Sequence, residues 1–545
     1  MHAGLHIGTT ETGRPLNLIP EHLETHVHGV GASRTGKSKL IEWIGRELVQ
    51  SDRGFCLIDP HGTLYRDLIR WLTYFEPHRE IILFDPSSQS RIVGFNPFQP
   101  STGDISVQVE RRLQATLKVW GQTSTNETPR LERGLRCFYH YLIEQQQPLE
   151  TASLLLRWSQ KEIWPHLIQS INSPLIREQW TELASATRIT DFWDKTESTW
   201  NKLFRFLSSA TLRRVMGLPT NNIDIKDIIE NGKVLLVNLQ PSDYLTEEMG
   251  SLIGTLLLSE MWEVASRRIE NDWGEPPSSF FVIIDEFEKF LTPDIPAILN
   301  QGAKYGLHLF LFHQHLQQLR DKDESISAAV MANARTKLVF GGLTREDAHL
   351  MAQNIFPGQI DLKRIKFLLE QTKFWPVYKR ETVHNSGVSG SSGLAMTTSE
   401  SWNPSIEKWV PSTANTSNDS DGYTESDSDI PFLYPVPFQE VSSIVPYSLE
   451  ESLWQLSDRL MEQYQRHFMI RIPGEQTLAA VTPFVKKWYV TSEASKEYME
   501  MCSRKFLSLD EIDTALANID TDLQRKFKLA NSSNEEPSTA KRRIR

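Results

Sequence analysis

Cysteine is scarce: three residues in 545, at Cys56, Cys137 and Cys502. An odd set so widely spaced gives neither a disulfide framework nor a thiolate zinc site, and it points to a reducing compartment. Long hydrophobic runs are missing as well. Nothing approaches the roughly 18–20 residues that span a bilayer, and the best candidates, Leu235–Leu239 and Leu307–Phe312, have the length of strands. The opening Met-His-Ala-Gly-Leu-His shows no basic region followed by an apolar stretch, so no secretory signal is expected. Nor is there an excess of positive charge. Lys plus Arg number 58 against 69 Asp plus Glu, a net charge of −11. That excludes a chain coated in positive charge but leaves room for a local basic groove. A soluble, cytoplasmic protein without stable membrane insertion is expected. Apolar residues are ample at 39% with 23% charged, and this length suggests about three or four domains.

Two segments share a pattern: Gly-Phe-Cys-Leu-Ile-Asp-Pro at 54–60 and Glu-Ile-Ile-Leu-Phe-Asp-Pro at 80–86. A short apolar run closed by Asp-Pro is how a buried parallel strand looks where it meets a loop. Helical periodicity over Leu64–Phe75 lies between them, and such alternation predicts an α/β sheet. From 101 to 230 the spacing turns helical, as in Val107–Trp120, Arg130–Gln145 and Trp193–Val215. Strand texture returns at Lys233–Leu239, Phe280–Asp285, Leu307–Phe312 and Lys337–Phe340. The expected division is therefore a first half of the core over 1–100, an all-α insertion over 101–230 and a second half of the core over 231–383. Residues 384–435 are rich in Ser, Gly and Asp and predict a disordered linker or loop, because so few apolar side chains cannot offset ordering entropy. A small α+β element is expected over 436–495, packed on the core, followed by a helix and a disordered basic tail over 496–545.

The strongest chemical signal is Gly31-Ala32-Ser33-Arg34-Thr35-Gly36-Lys37-Ser38, which fits G-x-x-x-x-G-K-[ST]. Glycines let backbone N–H groups wrap phosphates, Lys37 would reach the β- and γ-phosphates, and Ser38 would hold Mg²⁺. The helix-periodic run from Leu40 places the loop at a helix N-terminus, which favours phosphate. The apolar run Phe280–Ile284 closed by Asp285-Glu286 has the form of a Walker B strand. Asp285 would hold the Mg²⁺ shell and Glu286 would polarise the attacking water. Adjacent acids fit hydrolysis better than phosphate transfer to a small molecule. Gln314, after the run Leu307–Phe312, is a candidate sensor of the γ-phosphate. His313 and His315 flank it, but no third ligand for a metal is apparent. Arg335, just before a strand, is the candidate arginine finger, with Arg345 and Arg34 as rivals.

These motifs, together with Asp59-Pro60-His61-Gly62 and Gly94-Phe-Asn96-Pro97, occur in an order that resembles the HerA/FtsK superfamily of ring-forming DNA-pumping ATPases. Within it the chain is most similar to the TraG/TraD-type coupling proteins of conjugation, over residues 5–380 and more weakly over 440–492. The resemblance implies a RecA-like P-loop core, hexameric, with ATP and Mg²⁺ bound between subunits. It implies that Gly31, Gly36, Lys37 and Ser38 bind phosphates and Mg²⁺, that Asp285 and Glu286 serve hydrolysis, and that Gln314 occupies the sensor position. Coupling proteins of that type usually begin with membrane helices, and HerA proteins carry a small β-barrel ahead of the motor. With the P-loop at residue 31, a motor core without either is expected.

The function expected is an ATP-hydrolysing ring that binds and translocates DNA without sequence preference. The alternative is an ATP-dependent assembly platform that recruits a partner protein or nuclease through its helical insert. Lining a pore takes only Lys, Arg and backbone N–H groups on phosphates. Candidate stretches are Lys202–Arg214 (Lys202, Arg205, Arg213, Arg214), Lys363–Lys366 and Lys541–Arg545.

Overall fold

The computed structural model describes residues 4–533, apart from 24, 76, 102, 121–128, 152–160, 162–163, 269–276, 362, 390–394, 404 and 417–421. Contacts divide the chain into two units, 1–357 with 455–545, and 358–454.

The first unit is built on an 11-stranded sheet. Its strands are β1 (Leu5–Thr10), β2 (Pro15–Leu18), β3 (Val27–Val30), β4 (Phe55–Asp59), β5 (Ile81–Phe84), β6 (Val234–Asn238), β7 (Phe280–Ile284), β8 (Leu307–His313) and β9 (Thr336–Phe340). The second unit holds β10 (Ile365–Ser389), β11 (Ala395–Asn403), β12 (Lys408–Thr416) and β13 (Gly422–Pro446), and β14 (His467–Arg471) and β15 (Leu478–Val481) return to the main sheet. The order in the main sheet is β2-β1-β15-β14-β9-β3-β8-β7-β4-β6-β5. The seven strands from β9 to β5 are parallel, and β14, β15, β1 and β2 extend the β9 side antiparallel. This is the α/β class and the RecA-like P-loop core expected from the sequence, with the strand leading to Gln314 lying between the P-loop strand and the Asp285 strand.

The parallel strands read as unbroken apolar runs because both faces are covered. Side chains of one strand alternate between two cores. Phe55 and Leu57 join Phe281, Ile283 and Phe310 on one face, beneath the helices Lys37–Gln50 and Thr63–Leu72. Cys56 and Ile58 join Val237, Val282 and Ile284 on the other. That second face is covered by the helix Glu247–Ala265 and by the helices between β5 and β6. Val109, Leu113, Phe138, Leu142 and Phe206 of those helices lie in the same buried cluster as the strand residues. The helical stretch expected over 101–230 is thus inserted in the chain but shares the motor's core, because one face of a seven-stranded parallel block needs a cover.

Within 384–435, where a disordered linker or loop is expected, some of the described residues pair as strands. Strands β10 and β13 pair as an antiparallel ribbon from Ile365 to Ser389 and back from Gly422 to Pro446, and β11 pairs with β12. The ribbon also takes in 365–383, expected to belong to the motor, and 436–446, expected to belong to the C-terminal element. Composition counts side chains that cannot build a core, whereas a ribbon rests on backbone pairing and cross-strand partners. Here Asp429 lies opposite Thr382 and accepts its hydroxyl at 2.8 Å, and Asp427 lies opposite His384 and bonds its ring. The tail Lys541–Arg545 lies outside the described residues. Among those described, no helix is long and apolar enough to cross a membrane.

Candidate nucleotide-binding site

Strand β3 ends at Val30, and the chain leaves the C-terminal edge of the parallel block as Gly31–Ser38 before entering the helix Lys37–Gln50. Gly36 caps that helix at φ 115°, and Arg34 also has a positive φ of 67°. Two left-handed residues fold the loop over the helix N-terminus, a geometry that aims backbone N–H groups at an anion. A side chain at Gly36 would be strained, and its Cβ would lie 2.9 Å from the Cα of Arg466.

A cavity of about 230 Å³ opens over this loop, lined by Ala32, Ser33, Arg34, Gly36, Lys37, Ser38, Lys39, His61, Asp285, Glu286, Gln314 and Gln465. The structure therefore brings the P-loop, the Asp-Glu pair and Gln314 together at the ends of β3, β7 and β8. Lys37 is buried, and its Nζ has no hydrogen-bond partner among the described residues. It lies 4.0 Å from Asp285 Oδ1. Burial lowers the Lys37 pKa, and the carboxylates of Asp285, Glu288 and Glu286 pull it back up. An unsatisfied buried ammonium is costly, and a phosphate is the partner that would satisfy it. Ser38 at the helix N-terminus and the Asp285 carboxyl are the oxygen donors available to a Mg²⁺ ion bound with that phosphate.

Burial pushes Asp285 up to about 6, against the attraction of Lys37. Its folded pKa lies above the ordinary value of 3.8, so the contribution of Asp285 to stability is present below about pH 4 and is lost as pH rises through about 6. The shift corresponds to on the order of 3 kcal/mol. Mg²⁺ binding must displace the Asp285 proton, so Mg²⁺-dependent nucleotide affinity is expected to fall as pH drops through about 6. Titrations of a fluorescent nucleotide between pH 5 and 8 check this, and Asp285→Asn is expected to flatten the profile.

Glu286 stands in the left-handed region, with φ 48° and ψ 52°, a strained place for a side chain other than glycine. Its Oε1 accepts from His61 Nε2 at 2.7 Å and from Gln314 Nε2, and its Oε2 accepts from Lys289 Nζ at 3.1 Å. Burial would raise its pKa, but the hydrogen bonds and charges of His61 and Lys289 outweigh that and hold it at about 2. The same hydrogen bond raises His61. Gln314 Oε1 accepts from Ser33 Oγ at 2.9 Å, so this one amide joins the P-loop to Glu286.

Asp59 does not face the cavity. Its carboxylate accepts the N–H groups of His61 at 2.8 Å and Tyr65 at 2.9 Å. It shapes the turn that brings His61 to Glu286. Arg335 is exposed and precedes β9, at the opposite end of the parallel strands from the cavity, so it does not reach the cavity of its own chain. Arg34 lines the cavity, and Arg345 opens the helix Arg345–Ile355 at the cavity's edge of the sheet.

Four of the basic residues named for DNA contact are engaged within the chain, and the Arg205 side chain lies outside the described residues. Arg213 makes a bidentate pair with Glu150 at 2.8 and 3.0 Å, and Arg214 does so with Asp513 at 2.8 and 2.6 Å. Lys202 lies over the Trp120 ring at 5.1 Å. Lys366 pairs with Glu451 at 2.5 Å.

Two contributors carried no motif. Gln465 lines the cavity, and the Arg466 N–H donates to Thr35 O at 2.7 Å with Arg466 at φ 72°. They precede β14, which docks on β9. Lys289 could have been found, since it lies three residues after Glu286.

Residues 279–357 match the family described as the TraM recognition site of TraD and TraG. The matched segment runs from β7 to the helix Arg345–Ile355 and contains Asp285, Glu286, Gln314 and Arg335. It falls within the stretch whose motif order resembles TraG/TraD-type proteins. No curated protein shows significant sequence similarity to the chain. Among solved structures, the unbound bacterial conjugative coupling protein TrwB is 15% identical with a TM-score of 0.48, covering 90% of this chain and 91% of its own. The plasmid coupling protein TrwB in complex with ADP and Mg²⁺ gives 15% and 0.48 over 90% and 92%. VirB4 of Thermoanaerobacter pseudethanolicus gives 12% and 0.39 over 66% and 89%.

Proposed function

We propose that this chain, similar to TraG/TraD-type P-loop ATPases, hydrolyses ATP in the cavity at the sheet edge and uses the cycle to move DNA through a ring of six subunits. The observation that carries the reading is the buried Lys37 ammonium beside the left-handed loop, without a hydrogen-bond partner among the described residues and 4.0 Å from the Asp285 carboxylate. Lys37 would take up the β- and γ-phosphates, and backbone N–H groups of Gly31–Ser38 would hold the rest of the chain of phosphates. Mg²⁺, held by Ser38 and Asp285, would neutralise charge on the phosphate oxygens. Glu286 would orient water and accept its proton. For Glu286 to gain the basicity for this, the His61 and Lys289 donors that hold its pKa at about 2 would turn away.

Motif order supports DNA as the cargo, with phosphate contacts in a pore that need no base-reading side chains. The free thiols, two buried and one half-buried, suit work in the cytoplasm. Particle mass and ATP turnover, each measured with and without duplex DNA, test the reading. A six-subunit ring on DNA with stimulated turnover is expected, and an oligomer indifferent to every nucleic acid would overturn it.

The place of Arg335 carries its own prediction. Across a subunit interface it would reach a neighbour's phosphates, so Arg335→Ala should lose hydrolysis but keep ATP binding. Mixing it with Glu286→Gln subunits should restore part of the turnover, since some interfaces then hold both intact groups. Mixed oligomers with no regained turnover would make Arg335 a local structural residue.

A further inference from the structure

Four histidines are buried on or beside β3 and β8: His26, His28, His308 and His313. Two of them sit directly beneath the site. His28 lies in the middle of β3, three residues before Gly31, and His313 is the last residue of β8, next to Gln314. Their Nε2 atoms are 2.6 Å apart, with the rings 4.9 Å between centroids and 17° from parallel.

The surrounding groups decide where the protons are. His313 Nδ1 lies 3.0 Å from the carbonyl oxygen of His315. A carbonyl only accepts, so Nδ1 carries the hydrogen and Nε2 of His313 is bare. The short Nε2–Nε2 contact then requires His28 to donate from Nε2, which leaves its Nδ1 unprotonated. That atom is buried and has no partner among the described residues. Burial pushes both rings well below the neutral range, His313 to about 3.

What this pair touches is the machinery already described. The carbonyl of His313 accepts the N–H of Gly31, the first P-loop residue, at 3.3 Å. The His313 ring meets Phe287, the residue after Glu286, edge-on at 5.2 Å. The turn carrying Gln314 is pinned on one side by His313 Nδ1–H on His315 O, and on the other by Asp347 Oδ2, which accepts the Leu316 N–H at 3.1 Å. On the other face of the same strands, a Cβ at Gly29 would lie 2.3 Å from the Phe312 ring. β3 and β8 therefore approach too closely to shift without disturbing this pair.

We infer that His28 and His313 form a hydrogen-bonded relay of fixed tautomers that positions Gln314 between the P-loop and Glu286. They are positioning residues, and neither lines the cavity over the P-loop. The inference rests on the proposed ATPase reading for its consequence in turnover, while its tautomers stand independently of it.

The full-length chain tests both parts. His28→Leu removes the donor and is expected to lower kcat by about 10- to 100-fold, with ATP affinity and KM changed less than about two-fold, the signature of a misplaced group rather than a lost binding contact. His28→Gln keeps a side-chain N–H donor and should recover most of the loss. A glutamine variant as slow as the leucine variant, or a loss that appears in ATP affinity instead, would overturn the relay. Should His28→Leu fail to fold, the wild type decides: magnetic resonance of isotope-labelled histidines should show His28 protonated on Nε2 and His313 on Nδ1, both unchanged between about pH 5 and 8. Reversed tautomers, or titration in that window, would overturn it. A wild type that hydrolyses no nucleotide would instead sink the ATPase reading, leaving the tautomer result to judge the pair.

Discussion

Replacing Lys37 by Ala is expected to lower turnover by on the order of 10³-fold while leaving the melting temperature of the nucleotide-free protein unchanged or slightly raised. The first part follows from the only side-chain cation buried at the mouth of the P-loop helix among the described residues. The second follows from its state without ligand: Nζ is buried and makes no hydrogen bond. Removing a buried charge that makes no hydrogen bond relieves a cost that offsets the loss of its 4.0 Å ion pair with Asp285. Asp285 loses the attraction of Lys37, but its carboxyl is already pushed up to about 6 by burial and would take a proton. Stabilisation by nucleotide should vanish. Differential scanning fluorimetry with and without ATP and Mg²⁺ reads both parts, and retained turnover would show that the P-loop assignment is wrong.

Glu286→Gln should cost about 10²- to 10⁴-fold in hydrolysis, the usual loss when a general base is removed, with ATP binding intact. The amide can still accept from His61 and Gln314, so the strained backbone at φ 48° keeps its anchors. Single-turnover measurements should show bound ATP that is not cleaved. The same variant separates a motor from an assembly platform. A platform needs only the ATP-bound form and would keep its biological activity in Glu286→Gln, whereas a motor would lose it as completely as in Lys37→Ala.

What could be read from the residues alone was local. Gly31–Ser38 and Phe280–Glu286 are contiguous, and the chemistry of phosphate binding dictates both their types and their spacing. The strand ends that carry Asp59, Asp285 and Gln314 were visible because buried parallel strands are continuous apolar runs. Nothing local showed that His61 bonds Glu286, since that contact joins the turn after β4 to the end of β7. Gln465 and Arg466 were hidden for the same reason, lying more than 400 residues from the loop they press against. The helical stretch looked like a domain because its periodicity is regular, yet periodicity does not say what an apolar face packs on. The ribbon from Ile365 to Pro446 escaped because its stability comes from pairing, which composition does not record.

The position of β14 and β15 has a consequence for how the protein is made. β1 pairs with β15, and β9 pairs with β14. Synthesis runs from the N-terminus, so β1 and β2 leave the ribosome more than 450 residues before the strands that join them to the sheet. Until then the Thr336–Phe340 edge, buried in the finished protein, stays open to pairing with other chains. Long-range strand pairing is slow, and open edges in such intermediates aggregate. Arg466 also closes on the P-loop only at this late stage. A nascent chain lacks its complete nucleotide site until residue 466 has been translated. Truncations ending before residue 467 are therefore expected to be recovered as aggregates, and ATP should rescue full-length refolding only in its last step.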